Sequence, residues 1–165
     1  LSYQLYDDSF NLYESKTFQD ISINVDNRKT PKRKVRELDD ISIKVNSFME
    51  LYETIRPLIE NNVLIVFSDT DIGAFKKDCR IYGIPYKKLT YIDLQEALYE
   101  LSTDARHKSN LKDYCIKNGI RHNAHIPEDD CRVTFILYID LLNKYGEHFL
   151  NKFNFLCRQN QKKVV

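Results

Sequence analysis

The first 25 residues alternate apolar with polar positions, which is the period of a half-buried β-strand. Asp7, Asp8 and Ser9 interrupt this alternation and favour a turn. The pattern therefore predicts a β-hairpin over residues 1–25, and its apolar positions are Tyr3, Leu5, Leu12, Phe18, Ile21, Ile23 and Val25. The polar stretch over residues 26–40 is predicted to be a loop.

A helical period replaces the alternation after this loop. Its apolar face consists of Phe48, Leu51, Tyr52, Ile55, Leu58 and Ile59. Ser47 and Glu50 fit a capping box at the start of this helix, and Pro57 is expected to end or kink it. The continuous apolar run over residues 63–67 is typical of a central strand that is covered on both faces.

The rest of the chain combines helical and extended patterns. They predict a helix over residues 69–82 that Gly83 caps, a strand over 89–94, helices over 95–102 and 109–119, and a long final helix from about residue 129. That helix is expected to turn Val133, Ile136, Leu137 and Leu141 inward and to continue past Gly146. The order of elements indicates a single domain over residues 1–165 of the α/β or α+β type, and we expect α/β, with a mixed sheet flanked by helices.

The composition is that of an ordinary globular domain, with 42% hydrophobic and 30% charged residues. No apolar run approaches the roughly 18 residues of a membrane span, so no membrane partner is expected. The cysteines at 79, 115, 131 and 157 form no C-x-x-C pair, which favours free buried thiols and a reducing, cytoplasmic location. No initiator methionine precedes Leu1, so we expect a processed, trimmed or truncated chain.

Charge is unevenly distributed, although the net charge is only +1. Six cations fall within nine residues: Arg28, Lys29, Lys32, Arg33, Lys34 and Arg36. Clustered cations neutralise phosphates, so this cluster is a candidate nucleic-acid-binding segment. A solvated surface loop is an equally good interpretation of the same residues.

An acidic pair, Asp69 and Asp71, follows the predicted strand at 63–67. Ligands gather at the carboxyl ends of strands in open α/β sheets, and carboxylates are the oxygen ligands that Mg²⁺ prefers. Acidic residues also cap helices, and that role suits Asp69 better. Asp71 is therefore the candidate metal ligand at this edge of the sheet.

His125 and Asp130 lie five residues apart, and the final helix begins near the second of them. This spacing allows His125 to stay in the preceding loop while Asp130 projects from the first turn. A neutral imidazole in that place could take a proton from a metal-bound water. The alternative is a loop histidine beside carboxylates that stabilise the start of a helix.

These segments resemble the DEDDh 3′–5′ exonucleases, the ribonuclease H-like enzymes that include the proofreading subunit of bacterial DNA polymerase III. The third motif of that family is a His, four residues, an Asp, and a helix that usually carries Arg and Thr. The matching residues are His125, Asp130, Arg132 and Thr134. Asp71 and Phe75 fit the second motif, and the resemblance is closest over residues 63–140.

The resemblance implies hydrolysis at the 3′ end of single-stranded DNA or RNA with two Mg²⁺ or Mn²⁺ ions. Asp71 and Asp130 would be catalytic metal ligands, and His125 would be the general base. The first motif of the family, Asp-x-Glu on the first strand, occurs nowhere in the 165 residues. The resemblance therefore implies a ribonuclease H-like sheet that lacks its first strand. Either a larger parent protein or a partner subunit supplies that motif, or the protein has abandoned catalysis. In both cases we expect the 165 residues alone to be inactive.

Two other functions stay open. The run at 63–67 with Asp69 and Asp71 also resembles the haloacid dehalogenase-type phosphatases, in which Asp69 would be the nucleophile and Asp71 the acid/base. Gly73 stands where that family has Thr or Val, and too little chain follows for its later motifs. The other alternative is a non-catalytic module that binds nucleic acid, through the cation cluster and stacking tyrosines, or that binds protein.

Overall fold

A computed structural model of the protein describes residues 1–20, 43–85, 88–102, 110–124 and 126–158. The strands are β1 (Ser2–Tyr6), β2 (Leu12–Asp20), β3 (Ile43–Val45), β4 (Val63–Val66), β5 (Lys88–Asp93) and β6 (Asn154–Arg158). The helices are α1 (Phe48–Asn61), α2 (Asp69–Ile81), α3 (Leu94–Glu100), α4 (Leu111–Lys117), α5 (Pro127–Tyr145) and α6 (Glu147–Leu150). The chain is therefore mixed α/β, which confirms the predicted class.

The first sheet contains β1, β2 and β3 in that order. β1 and β2 are antiparallel, with Ser2 opposite Thr17, and β3 adds to β2 in parallel. In the connection between β1 and β2, the backbone N–H of Ser9 donates a hydrogen bond to the Asp7 carboxylate at 2.9 Å. The predicted hairpin is confirmed where it is described. The predicted loop at 26–40, with its six cations, lies outside the described residues.

The second sheet contains β4, β5 and β6. β4 runs parallel to β5, with Val63 opposite Thr90 and Val66 opposite Asp93, and β6 is antiparallel to β5. The sequence predicts one mixed sheet, whereas the described residues form two sheets of three strands each. The apolar run of β4 predicts a central strand, yet within the described ranges β4 pairs only with β5.

α5 ends at Tyr145, so the expectation of a helix that continues past Gly146 is wrong. Gly146 has a φ of 79°, a left-handed conformation that interrupts a helix and that glycine adopts without strain. The short α6 follows, and β6 then pairs with β5. The apolar residues after Gly146 thus belong to several short elements whose combined spacing imitates one helical face.

Two other helix boundaries can be compared with the sequence expectations. Pro57 does not end α1, which continues to Asn61, and Ile59 beyond the proline is partly buried against the apolar core. Proline removes one backbone hydrogen bond there, but it does not remove the packing of that face. The cap of α2 is Ser68, whose hydroxyl accepts a hydrogen bond from the Thr70 N–H at 3.4 Å, so Asp69 is the first helical residue instead of the cap.

Two apolar clusters form the core, the first mainly on α1 and α2 and the second on α3, α4, α5 and α6. β4 contributes to both, because Leu64 and Val66 pack against the first cluster and Ile65 packs against the second. α5 contacts β1, β2 and β4, so this helix lies against strands of both sheets. Across the described ranges, no helix combines the length and apolarity needed to cross a membrane.

The side chain of Asp93 caps α3, since it accepts hydrogen bonds from the N–H groups of Gln95 at 3.0 Å and Glu96 at 3.2 Å. We expect Asp93→Ala to lower the free energy of unfolding by about 0.5–2 kcal/mol, because both donors lose their acceptor. Asp93→Asn keeps an acceptor oxygen and should stay within about 0.5 kcal/mol of the wild type in urea denaturation. Equal destabilisation by the two variants would contradict the capping role.

Candidate active site

Asp71 lies in the first turn of α2, close to the carboxyl end of β4. Val66 ends the strand, Ser68 caps the helix and Asp69 begins it, so only a short connection separates the strand from Asp71. Asp71 is exposed. It occupies the edge of the sheet at which the sequence predicts a ligand-binding carboxylate.

Asp130 lies in the first turn of α5. Pro127 begins this helix, and the N–H of Asp130 donates to the carbonyl of Ile126 at 2.8 Å. Glu128, Asp129 and Asp130 place three carboxylates at this end of the helix, where the helix dipole favours negative charge. The side chain of Asp130 is 38% exposed and is therefore accessible to a solute.

The structure brings Asp71 and Asp130 close enough for their charges to interact. Desolvation raises the pKa of Asp71, and the carboxylate of Asp130 raises it further. Desolvation, followed by the charges of Asp130 and Asp71, also raises the pKa of the Cys131 thiol to about 11, so this thiol stays protonated at neutral pH. The charge of Asp130 therefore acts on Asp71, although the two residues are distant in the sequence.

The two acidic neighbours of Asp130 on α5 are engaged in structural contacts. Asp129 accepts hydrogen bonds from Nε of Arg132 at 2.7 Å and from the N–H of Asn123 at 2.6 Å. The bond from Arg132, followed by that from Asn123, lowers the pKa of Asp129. Glu128 is hydrogen-bonded to the hydroxyl of Thr17 in β2. Of the three carboxylates in this turn, Asp130 is the one whose charge raises the pKa of Asp71.

A histidine that the sequence does not single out contacts Asp130. Nε2 of His122 lies 2.7 Å from Oδ1 of Asp130, and the histidine side chain is only 5% exposed. Nδ1 of His122 is buried and has no hydrogen-bond partner among the described residues. An offset of eight residues matches no motif, so sequence patterns could not reveal this pair. His125, the predicted general base, lies outside the described residues.

Asp69 has different neighbours from Asp71. It lines an open depression of about 380 Å³ together with Tyr91, Asp93, Glu96 and Phe155. Burial, followed by the charges of Glu96 and Asp69, raises the pKa of Asp93, whereas burial, followed by the charge of Asp130, raises the pKa of Asp71. The phosphatase interpretation needs Asp69 and Asp71 to act on one substrate, and their different surroundings count against it.

Comparison of the chain with protein-family models, with curated proteins and with solved structures finds no match. In the part of the chain that the structure describes, no group of three or more His, Cys, Asp or Glu side chains is arranged to hold a metal ion. A functional assignment therefore depends on the arrangement of Asp71, Asp130 and His122.

Proposed function

We propose that this chain is a 3′–5′ exonuclease-like domain of the DEDDh type that acts on the 3′ end of single-stranded DNA or RNA. The observation that carries the proposal is that Asp71 and Asp130, in the first turns of two different helices, lie close enough for the charge of Asp130 to act on Asp71. These are the two residues to which the second and third motifs of the family assign metal binding. His125, five residues before Asp130, would be the general base.

The residues of this site suit a divalent cation such as Mg²⁺ or Mn²⁺. Carboxylate oxygens are hard ligands, and a cation relieves the repulsion between two like charges that are held close together. When bound, such ions stabilise the attacking and leaving oxygens of a phosphodiester. Asp71 and Asp130 would hold them, and His125 would accept the proton of the attacking water. The other two carboxylates would come from an Asp-x-Glu strand that the 165 residues do not contain.

On this proposal, the two sheets are halves of one ribonuclease H-like sheet that lacks its first strand. Within the described residues β1 pairs only with β2 and β4 only with β5, while α5 lies against both β1 and β4. A first strand inserted between β1 and β4 would give each of them a second neighbour and join the two sheets.

The test is the trimming of 5′-labelled single-stranded DNA and RNA in the presence of Mn²⁺ or Mg²⁺. We expect no trimming by residues 1–165 alone, and metal-dependent trimming by a protein that also contains the sequence encoded upstream of Leu1. In that longer protein, His125→Ala should lower the rate by about 10²–10⁴-fold, because the attacking water loses its base. Asp130→Asn should abolish trimming, and His148→Ala, at an exposed position on α6, is the matched control. Absence of trimming by the longer protein with either ion would overturn the proposal.

A second candidate function is a non-catalytic module that binds nucleic acid. It is favoured by the six cations over residues 28–36 in a chain that has no Asp-x-Glu. This candidate predicts oligonucleotide binding that persists in EDTA and weakens steeply as salt is raised. Trimming that requires metal and is lost in Asp130→Asn would exclude a purely non-catalytic role.

A further inference from the structure

The loop before α5 is anchored to the first turns of that helix on both sides of His122. The N–H of Asn123 donates to Asp129 at 2.6 Å, and a guanidinium nitrogen of Arg132 donates to the carbonyl of Arg121 at 2.6 Å. Arg132 also pairs with Asp129 at 2.7 Å, so the two anchors share one ion pair. Because both of its neighbours are fixed, His122 has a defined place, with only 5% of its side chain exposed.

The hydrogen bond between His122 and Asp130 has a single possible direction when the aspartate is ionised. A carboxylate only accepts hydrogen bonds, so Nε2 of His122 donates to Oδ1 of Asp130 at 2.7 Å. Among the residues that the structure describes, Asp130 uses only this oxygen in side-chain hydrogen bonding. A buried donor on one oxygen favours one orientation of the carboxylate and leaves the second oxygen available to a ligand.

We propose that His122 is a positioning residue, which fixes the carboxylate of Asp130 so that its second oxygen meets a divalent ion together with Asp71. This inference rests on the function proposed above, because it takes Asp130 to be a metal ligand. Groups that hydrogen-bond to the ligands of a metal commonly tune its affinity, and their loss weakens binding or activity about 10–100-fold. His122 is distinct from His125, to which the family motif assigns the role of general base.

The experiment compares two substitutions of His122 in the 165-residue chain. His122→Phe keeps an aromatic ring but cannot donate a hydrogen bond, and His122→Gln places an amide nitrogen near the position of Nε2. His148→Phe, at an exposed position on α6, is the control. Two quantities are measured on each protein. The first is the distribution of the Asp130 side chain over its χ1 rotamers in the absence of metal, which NMR three-bond couplings report. The second is the Kd for Mn²⁺, from the paramagnetic resonance signal of the free ion.

We expect Asp130 to keep one rotamer in the wild type and in His122→Gln. In His122→Phe the rotamers should average and Mn²⁺ should bind about tenfold more weakly. A single Asp130 rotamer in a folded His122→Phe protein, or unchanged Mn²⁺ affinity, overturns the inference. If the rotamer is lost in His122→Phe but even the wild type binds no Mn²⁺, positioning by His122 stands and the proposed metal site fails. If His122→Phe does not fold, His122→Asn takes its place, because its shorter amide falls short of Asp130.

Discussion

Leu137→Ala is expected to lower the free energy of unfolding by about 2–5 kcal/mol. Leu137 is fully buried in the middle of the apolar stripe of α5, between Val133 and Leu141, and it belongs to the second core cluster. Alanine removes apolar surface from the core and leaves a cavity, and the two costs add. Domains of this kind are stabilised by only about 5–15 kcal/mol, so the change is a large fraction of the total.

Leu137→Ala tests the packing of α5, the helix that joins the two sheets. The helix contacts strands of both sheets, and its first turn carries Asp130. Urea denaturation measures the loss, and thermal denaturation should show a fall in Tm of about 2–4 °C for each kcal/mol. Ile116→Ala is the control, because Ile116 is 70% exposed on α4 and its loss should cost less than about 0.5 kcal/mol. Equal effects of the two substitutions would contradict the packing of α5.

The elements that could be predicted are those whose defining contacts are local. α1, β4 and α2 lie within a few residues of their predicted positions, because the apolar period and the capping residues are contained in each element. β6 is different, since Asn154–Arg158 is a strand by virtue of its pairing with β5, which is remote in the sequence. The division into two sheets also depends on strand pairing, which periodicity does not encode.

The candidate site could be predicted in part for a similar reason. Asp71 follows the apolar strand β4 and Asp130 lies in the first turn of a helix, so the strand-end rule and the motif spacing single out both as candidates. The contacts of Glu128 with Thr17 and of Asp129 with Asn123 could not be predicted, because these partners lie outside the turn that holds the carboxylates. His122 reaches Asp130 only through the folding of the loop, and therefore no spacing rule indicated it.

Asp71→Asn is expected to be more stable than the wild type without divalent ions and less stable than the wild type when Mn²⁺ is added. Without ions at neutral pH, the variant should be more stable by up to about 1 kcal/mol, because a partly desolvated charge that Asp130 repels is removed. With Mn²⁺ at about ten times its Kd, the wild type should gain about 1.4 kcal/mol. The variant should gain much less, because it has lost a charged ligand.

The dependence of this effect on pH has a defined sign. The pKa of Asp71 is raised in the folded protein, so the folded state binds this proton more tightly than the unfolded state does. The ionised side chain is therefore destabilising at neutral pH, and the wild type regains that stability as the pH falls through the raised pKa. The advantage of Asp71→Asn in metal-free buffer should be full at neutral pH and should disappear in acid.

The measurement is thermal denaturation of the wild type, Asp71→Asn and Asp69→Asn, each with EDTA or Mn²⁺ at neutral and acid pH. Asp69 lies in the same first turn of α2, so Asp69→Asn controls for the loss of a negative charge at the start of that helix. It should keep the response to Mn²⁺. If the Tm of the wild type is the same with Mn²⁺ as with EDTA, Asp71 and Asp130 do not bind the metal together. Loss of the response in both variants would instead favour the joint action of Asp69 and Asp71 that the phosphatase interpretation requires.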